Sequence, residues 1–413
     1  MSKSAPAART PVRTVPFFDK CYRYDRAERA RQAGVYTFFR AIESAQDPEV
    51  TLAGRRMVML GSNNYLGLTN DPRVKEAAIQ AVRRYGSGCA GSRWLNGTLD
   101  LHVRLEERLA AFIRKEAALV FSTGFQVNLG AISCLVGKGD TVYLDKQDHA
   151  CIIDGARLSF GEVRKFRHND VADLRRQMRN DANAKGRFLV VDGVYSMEGD
   201  IAPLPDLLAA ARQFEAALMV DDAHGIGVLG PTGRGTAEHF GLEREVDLIM
   251  GTFSKAMASI GGFIAGDADV IDFIKHNART MVFSAAPPPA SAAAALATVE
   301  IMEREPERRA RLWENTRFFR DGLRTLGFDT GQSKTPVVPV VVGEDATALA
   351  MVQRLHEKGI FVNCVLTPGT LPGRALIRTS LMATHTREHL SRALEAIEGV
   401  GREVGVLRQT VSV

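Results

Sequence analysis

The amino-acid sequence predicts an α/β protein: a mostly parallel β-sheet covered by helices on both faces, followed by a smaller α+β domain at the carboxyl end. Three observations carry this reading. Short apolar runs, "AALVF", "DTVYL", "RFLVVD", "AALMVD" and "VDLIM", punctuate the middle of the chain. Longer helical patterns such as "LHVRLEERLAAFIRK" and "PLPDLLAAARQFEA" separate them. Buried runs alternating with helices indicate a parallel sheet with both faces covered. Near Pro287, Pro288 and Pro289 the texture changes to one long helical stretch with a break at Pro306. "PVVPVVVG" and "GIFVNCVL" then read as strands around the helix "ATALAMVQRLHEKG", and "THTREHLSRALEAIEGVGREVGVL" is a closing helix.

Taken in chain order, residues 1–15 read as a disordered, mildly basic leader and 16–60 as an N-terminal helical and linker segment. In that segment "DKCYRYDRAERARQAG" forms an exposed helix ending at Gly34. Residues 61–290 make the large domain and 291–413 the small one. A chain of 413 residues exceeds what one modest core serves. Its 45% hydrophobic and 24% charged residues are ordinary for a globular protein. A net charge of +5 over this length is too dilute to argue for nucleic acid and suits anionic small molecules. The five cysteines show no CxxC spacing, so neither a metal site nor a disulfide framework is expected, and a cytoplasmic setting is. No apolar stretch approaches the ~20 residues of a membrane span. The leader leaves room only for a peripheral membrane contact.

The residues that come directly after the apolar runs point to chemistry. The five runs lead into "STGFQVN", "DKQDHACIIDG", "GVYSMEGD", "DAHGIG" and "GTFSKA". Ligands of open α/β sheets bind at the carboxyl ends of the strands, where these polar clusters fall. Lys255 offers an amine, Asp221 a carboxylate at a buried strand tip, and His149 and His224 imidazoles. Ser122, Thr123, Gly124, Thr252 and Ser254 offer hydroxyls and bare backbone amides, the materials of a phosphate cradle. Each residue alone has a structural reading: Asp221 and Asp222 as strand-end caps, His224 as a turn residue, His149 as a loop histidine, the hydroxyls as helix caps. Together they are the parts needed to hold pyridoxal phosphate (PLP), with a lysine to form the imine and a carboxylate to keep the pyridine nitrogen protonated. "GSGCAG" matches the dinucleotide pattern GxGxxG but comes after a helical stretch instead of a strand, so no nucleotide site is inferred.

In order along the chain, "LGSNNYLGL", "YGSGCAGSRWLNGT", "FSTGFQVN", "DHACIIDG", "VYSMEGD", "VDDAHGIGVLG", "GTFSKA", "FSAAPPP" and "ALIRTSLMATHT" resemble the α-oxoamine synthases. These are PLP-dependent enzymes of fold type I, and the resemblance implies a large domain with a seven-stranded sheet. It implies that Lys255 forms the imine, Asp221 pairs with the pyridine nitrogen, His224 bonds the ring oxygen and His149 stacks on the ring. Ser122, Gly124, Phe125, Thr252 and Ser254 then lie at the phosphate. Ser284 reaches the phosphate of a partner subunit, so the site is shared within a homodimer. Ser196 lies near the cofactor, and Asn64 and Arg378 bind substrate, Arg378 through the amino-acid carboxylate. No metal is implied.

The reaction so implied is a decarboxylative condensation of an amino acid with an acyl-CoA. Ser254 before the lysine, and the stretch "ASIGGFIAGDADVIDFIKHNARTMVFSA", resemble serine palmitoyltransferase-type members, so L-serine and a long-chain acyl-CoA are the expected substrates. The alternatives are alanine or glycine with another acyl-CoA, as in 8-amino-7-oxononanoate synthase or 2-amino-3-ketobutyrate CoA ligase, or an aminotransferase on the same fold.

Overall fold

A computed structural model describes residues 15–407; the expected leader, up to residue 14, lies outside the described residues. The chain divides into two units at residue 40. In the first, the expected single helix is two, Asp19–Tyr22 and Arg26–Gln32. Asp25 restarts the helix at an N-cap position and pairs with Arg29 one turn on (3.1 Å). Gly34, at φ +71°, stops it as expected.

The second unit holds three sheets. Its strands are β1 (Glu49–Leu52), β2 (Arg55–Met59), β3 (Ala117–Phe121), β4 (Thr141–Asp145), β5 (Glu162–Phe166), β6 (Arg187–Asp192), β7 (Ala217–Asp221), β8 (Leu248–Thr252), β9 (Gly262–Gly266), β10 (Val337–Gly343), β11 (Ile360–Phe361), β12 (Asn363–Val365) and β13 (Ala375–Ser380). The large sheet has seven strands in the order β3-β9-β8-β7-β6-β4-β5. All its pairings are parallel except those of β9, which runs against both β3 and β8. β3, β4, β6, β7 and β8 therefore end on one edge.

The five apolar runs are these five strands. Their side chains alternate between two cores. On β7, Leu218 and Val220 enter one and Met219 the other; on β8, Ile249 enters the first and Leu248 and Met250 the second. That is the period-two signature of a sheet covered on both faces. β5 and β9 were not among the runs. β5, "EVRKF", is a largely exposed edge strand whose charges discourage further pairing. β9, "GFIAG", is wholly buried, but a glycine at each end leaves little apolar side chain to mark it.

Residues 16–60, read as helical and linker, also contain the β1–β2 hairpin, which β11 joins in parallel. β10, β13 and β12 form an antiparallel sheet. The long helical stretch is helices Pro289–Arg304 and Pro306–Thr325. Glu305 between them has φ −123° and ψ 64°, because a residue before proline is pushed out of the helical region.

One polar clasp stabilises the active edge. His168, after β5, bonds Asp145 at the tip of β4 (3.0 Å) and Asp200 (2.9 Å). Burial opposes charge on the imidazole, but the two carboxylates outweigh it and raise its pKa to about 9. The unfolded value is ~6.5, so the clasp contributes fully below that pH and is lost as pH rises through 9, an effect on the order of 3 kcal/mol. His168→Gln is expected to unfold at lower denaturant than the parent at pH 6, and the gap should close by pH 10. An equal gap at both pH values would show that the charge contributes nothing.

Candidate active site

The carboxyl edge of the large sheet encloses a cavity of about 300 Å³. Thr123, Gly124 and Phe125 come to it from the end of β3, and His149 and Cys151 from beyond β4. Asp192 and Ser196 come from β6, Asp221, Ala223 and His224 from β7, and Met250, Thr252, Ser254, Lys255 and Ile260 from β8 and its loop. Of the residues expected at the site, Gly124, Phe125, His149, Ser196, Asp221, His224, Thr252, Ser254 and Lys255 meet here.

One end of the cavity is an anion cradle. The helix Gly124–Leu135 starts there, capped by Thr123, whose hydroxyl accepts the Gln126 N–H (3.2 Å). First-turn amides of a helix lack intrahelical partners and attract negative charge. A Cβ on Gly124 would stand 2.6 Å from Thr252 Oγ1, so only glycine lets the helix start approach that hydroxyl. Thr252 Oγ1 and Ser254 Oγ lie 2.7 Å apart.

The other groups are polarised by burial. Desolvation of the Lys255 ammonium outweighs Asp221 and Asp192 and lowers its pKa to about 8. The amine can thus be neutral near physiological pH, as a nucleophile or base must be. Asp221 is 3% exposed. One oxygen accepts from Asn128 Nδ2 (2.6 Å), the other from the Ala223 N–H (3.0 Å). Asp222 serves the fold instead, accepting the Thr236 hydroxyl (2.7 Å), and burial lifts its carboxyl to about 7.

His149 and His224 are both held below the usual imidazole range, first by burial; Lys255 adds to the effect on each, while Asp221 opposes it at His149. His224 Nδ1 lies 2.7 Å from Tyr65 Oη. A phosphate cradle that a Cβ would fill, an amine poised near neutrality and a buried carboxylate fit PLP. No group here suits a nicotinamide or a metal better.

Four expected residues are not in the cavity wall. Arg378, on β13, is buried and donates to Ser196 O (2.6 Å), Ser380 Oγ (2.9 Å) and Asn63 Oδ1 (3.0 Å). All three acceptors are neutral, so its charge remains available to a carboxylate. The Asn64 side chain is consumed by its own loop: it donates to Gln46 O and Thr69 Oγ1 and accepts from the N–H groups of Leu68 and Thr69. Its neighbour Asn63 is the residue that meets Arg378. Ser122 donates to Ala285 O (2.6 Å), and Ser284 accepts from Gln126 Nε2 (3.0 Å).

Asp192, Cys151, Asn128 and Tyr65 are parts of the site that sequence reasoning missed. Asp192 had a signal, as a carboxylate at a strand tip like Asp221. The other three lie within the quoted motifs, overshadowed by more obviously reactive neighbours. A larger hollow of about 810 Å³ lies at the opposite edge of the sheet. Several of its cations are already engaged: Lys115 donates to Val246 O, Arg187 to Asp181 O and Arg114 pairs with Glu243. It offers no convergent set of reactive groups.

Comparison with known proteins agrees with this geometry. Residues 55–397 match the family "Aminotransferase class I and II". Serine palmitoyltransferase of Sphingobacterium spiritivorum is 50% identical over 379 residues, covering 92% of this chain and 95% of that one. The 8-amino-7-oxononanoate synthase of Symbiobacterium thermophilum is 46% identical over 91% of this chain and 96% of its own. A serine palmitoyltransferase structure solved with PLP superposes with a TM-score of 0.91 at 37% identity, over 95% of this chain and 99% of that one. A fold, a site and a sequence shared at this level place the chain in the class I and II aminotransferase family of PLP-dependent enzymes, within its α-oxoamine synthase branch.

Proposed function

We propose that the protein condenses L-serine with a long-chain acyl-CoA of the palmitoyl type, releasing CoA and carbon dioxide and yielding a 3-ketosphinganine-type amino ketone. The observation that carries this is the placement of the Lys255 amine and the Asp221 carboxylate in one cavity, with Arg378 behind Ser196. The choice of serine rests on the 50% identity to serine palmitoyltransferase.

PLP, when bound, supplies an electron sink that stabilises negative charge on the α-carbon of the amino acid. The residues do the rest. Gly124, Phe125, Thr252 and Ser254 would hold its phosphate. Asp221 would keep the pyridine nitrogen protonated, and His224 would bond the ring oxygen. His149 would lie against the ring. Arg378 takes the substrate carboxylate in place of one of its neutral acceptors and orients the Cα–H bond. Lys255, as free amine, removes that proton. A bond then forms between Cα and the acyl carbonyl carbon as the C–S bond breaks, and the CoA sulfur leaves and takes a proton from solvent. The carboxylate departs as carbon dioxide, and the electron pair it leaves on Cα takes back the proton held by Lys255. Most of the rate gain in such a two-substrate step comes from orientation and exclusion of water.

Phe125, 43% exposed, and Ile260, 52% exposed, give the cavity an apolar rim suited to an acyl chain. Phe283, 75% exposed beside Ser284, supports a homodimer in which this segment covers a partner's site and Ser284 meets the partner's phosphate. The division into a large domain, 61–290, and a small one from 291 belongs to the same proposal, as does action in the cytoplasm. Among the described residues no helix is long and apolar enough to cross a membrane.

The test is a matrix of serine, alanine and glycine against palmitoyl-CoA and shorter acyl-CoAs, read by thiol release and product mass. Serine with palmitoyl-CoA is expected to turn over at least about tenfold better, in kcat/KM, than any other pair, a discrimination of ~1.4 kcal/mol. Preference for alanine with a shorter acyl-CoA would make it an 8-amino-7-oxononanoate synthase. Formation of a 2-oxo acid without thiol release would make it an aminotransferase.

A further inference from the structure

Asn128 is fully buried on the helix Gly124–Leu135, and Cys151 is buried in the first turn of the helix Ala150–Leu158. They connect two groups of the site. Asn128 Nδ2 is 2.6 Å from Asp221 Oδ2 and 3.0 Å from Cys151 Sγ. Cys151 Sγ is 2.8 Å from His149 Nδ1. The same Nδ1 receives the backbone N–H of Cys151 (3.3 Å). An amide nitrogen has two protons, and both are used here: one on the carboxylate, one on the sulfur. The carbonyl end, Asn128 Oδ1, is buried without a partner. An unpaired buried carbonyl costs stability, so an apolar residue would serve the helix better. The two donors are what the amide contributes.

From this geometry we infer that Asn128 and Cys151 are positioning residues of the cofactor site. Asn128 aims the Asp221 carboxylate, and the Cys151 thiol holds His149 in the tautomer protonated at Nε2. The inference rests on the reading of the cavity as a PLP site. The donors run in one direction, from the Asn128 amide to the sulfur and from the S–H to Nδ1. A nitrogen that accepts two donors carries no proton of its own, so the imidazole proton sits on Nε2. Burial and the nearby Asp221 charge keep the thiol protonated, as a donor must be. Asp221, Lys255 and His224 also act on His149, and Asp192 accepts its backbone N–H (2.9 Å). These charges are shared by the parent and every variant tested, so differences between them report the relay.

The test uses the full chain, stripped of cofactor and refilled with PLP. It reads the PLP dissociation constant and the pH midpoint of the visible band of the bound cofactor. Asn128→Leu is expected to bind PLP about 10- to 100-fold more weakly, the worth of one hydrogen bond to a charged group, and to move the midpoint by about one pH unit. Cys151→Ala should move the midpoint in the holoenzyme, and Cys151→Ser, which keeps a donor, should restore it. If Asn128→Leu fails to fold by circular dichroism, the Cys151 pair decides. Parent-like binding and titration in Asn128→Leu and Cys151→Ala would overturn the inference. So would a serine variant that behaves like the alanine one. If the parent itself takes up no PLP, the proposed function falls, and this inference with it.

Discussion

Lys255→Ala is expected to abolish condensation, lowering kcat by at least ~10³-fold, because one side chain supplies both the covalent anchor and the base. Borohydride should then fix no cofactor on the protein, whereas in the parent it should fix PLP on the peptide that contains Lys255. The fold should survive. The Lys255 amine sits in a desolvating cavity that already favours its neutral form, so losing it removes a strained charge and not a support. The melting temperature should stay level or rise. The same burial gives a pH signature. Uptake of PLP by cofactor-free parent protein needs the neutral amine, so its rate should climb with pH and level off above about 8, well before the ~10.4 of a solvated lysine. Retained activity in the alanine variant, or a plateau only near 10, would remove Lys255 from its role.

Asp221→Asn should produce the second large loss, at least ~10²-fold in kcat. The change preserves shape, but an amide cannot hold a proton on a pyridine nitrogen as a carboxylate does. It also sets one N–H against the Asn128 Nδ2 donor that now bonds Asp221 at 2.6 Å. Stability should stay near the parent's, since removal of a buried carboxyl, 3% exposed, is set against the loss of one of its two N–H bonds. Steady-state kinetics with circular dichroism checks both halves. A variant within threefold of the parent would mean that another group protonates the ring.

These residues were legible for a physical reason. β3, β4, β6, β7 and β8 are buried on two faces, so they read as unbroken apolar runs, and the cavity is lined from the last residue of each run to a few residues beyond it. The same logic explains the losses. β5 reads as a polar loop because it is an edge, and β9 begins and ends in glycine, which breaks up its apolar signal. Asn128 and Cys151 contact the site from within helices, where one polar residue per turn carries no positional signal. Asn64 and Asn63 are adjacent and chemically identical. Which one turns inward depends on a loop held by Gln46 and Thr69, and no local pattern reveals that. Ser122 and Ser284 have the right chemistry, yet within one chain their hydroxyls are engaged by Ala285 and Gln126.

The reversed direction of β9 has a practical outcome for engineering. Every other catalytic loop feeds into a crossover, where added or deleted residues can be absorbed before the next strand. The segment from Phe253 to Gly261 must instead return at once to the neighbouring β9, and Ser259 and Phe253 pin it through paired backbone bonds. Indels there would shift the reactive nitrogen directly. Attempts to broaden the substrate range have more room in the longer connection after β6, and almost none in the one that carries the lysine.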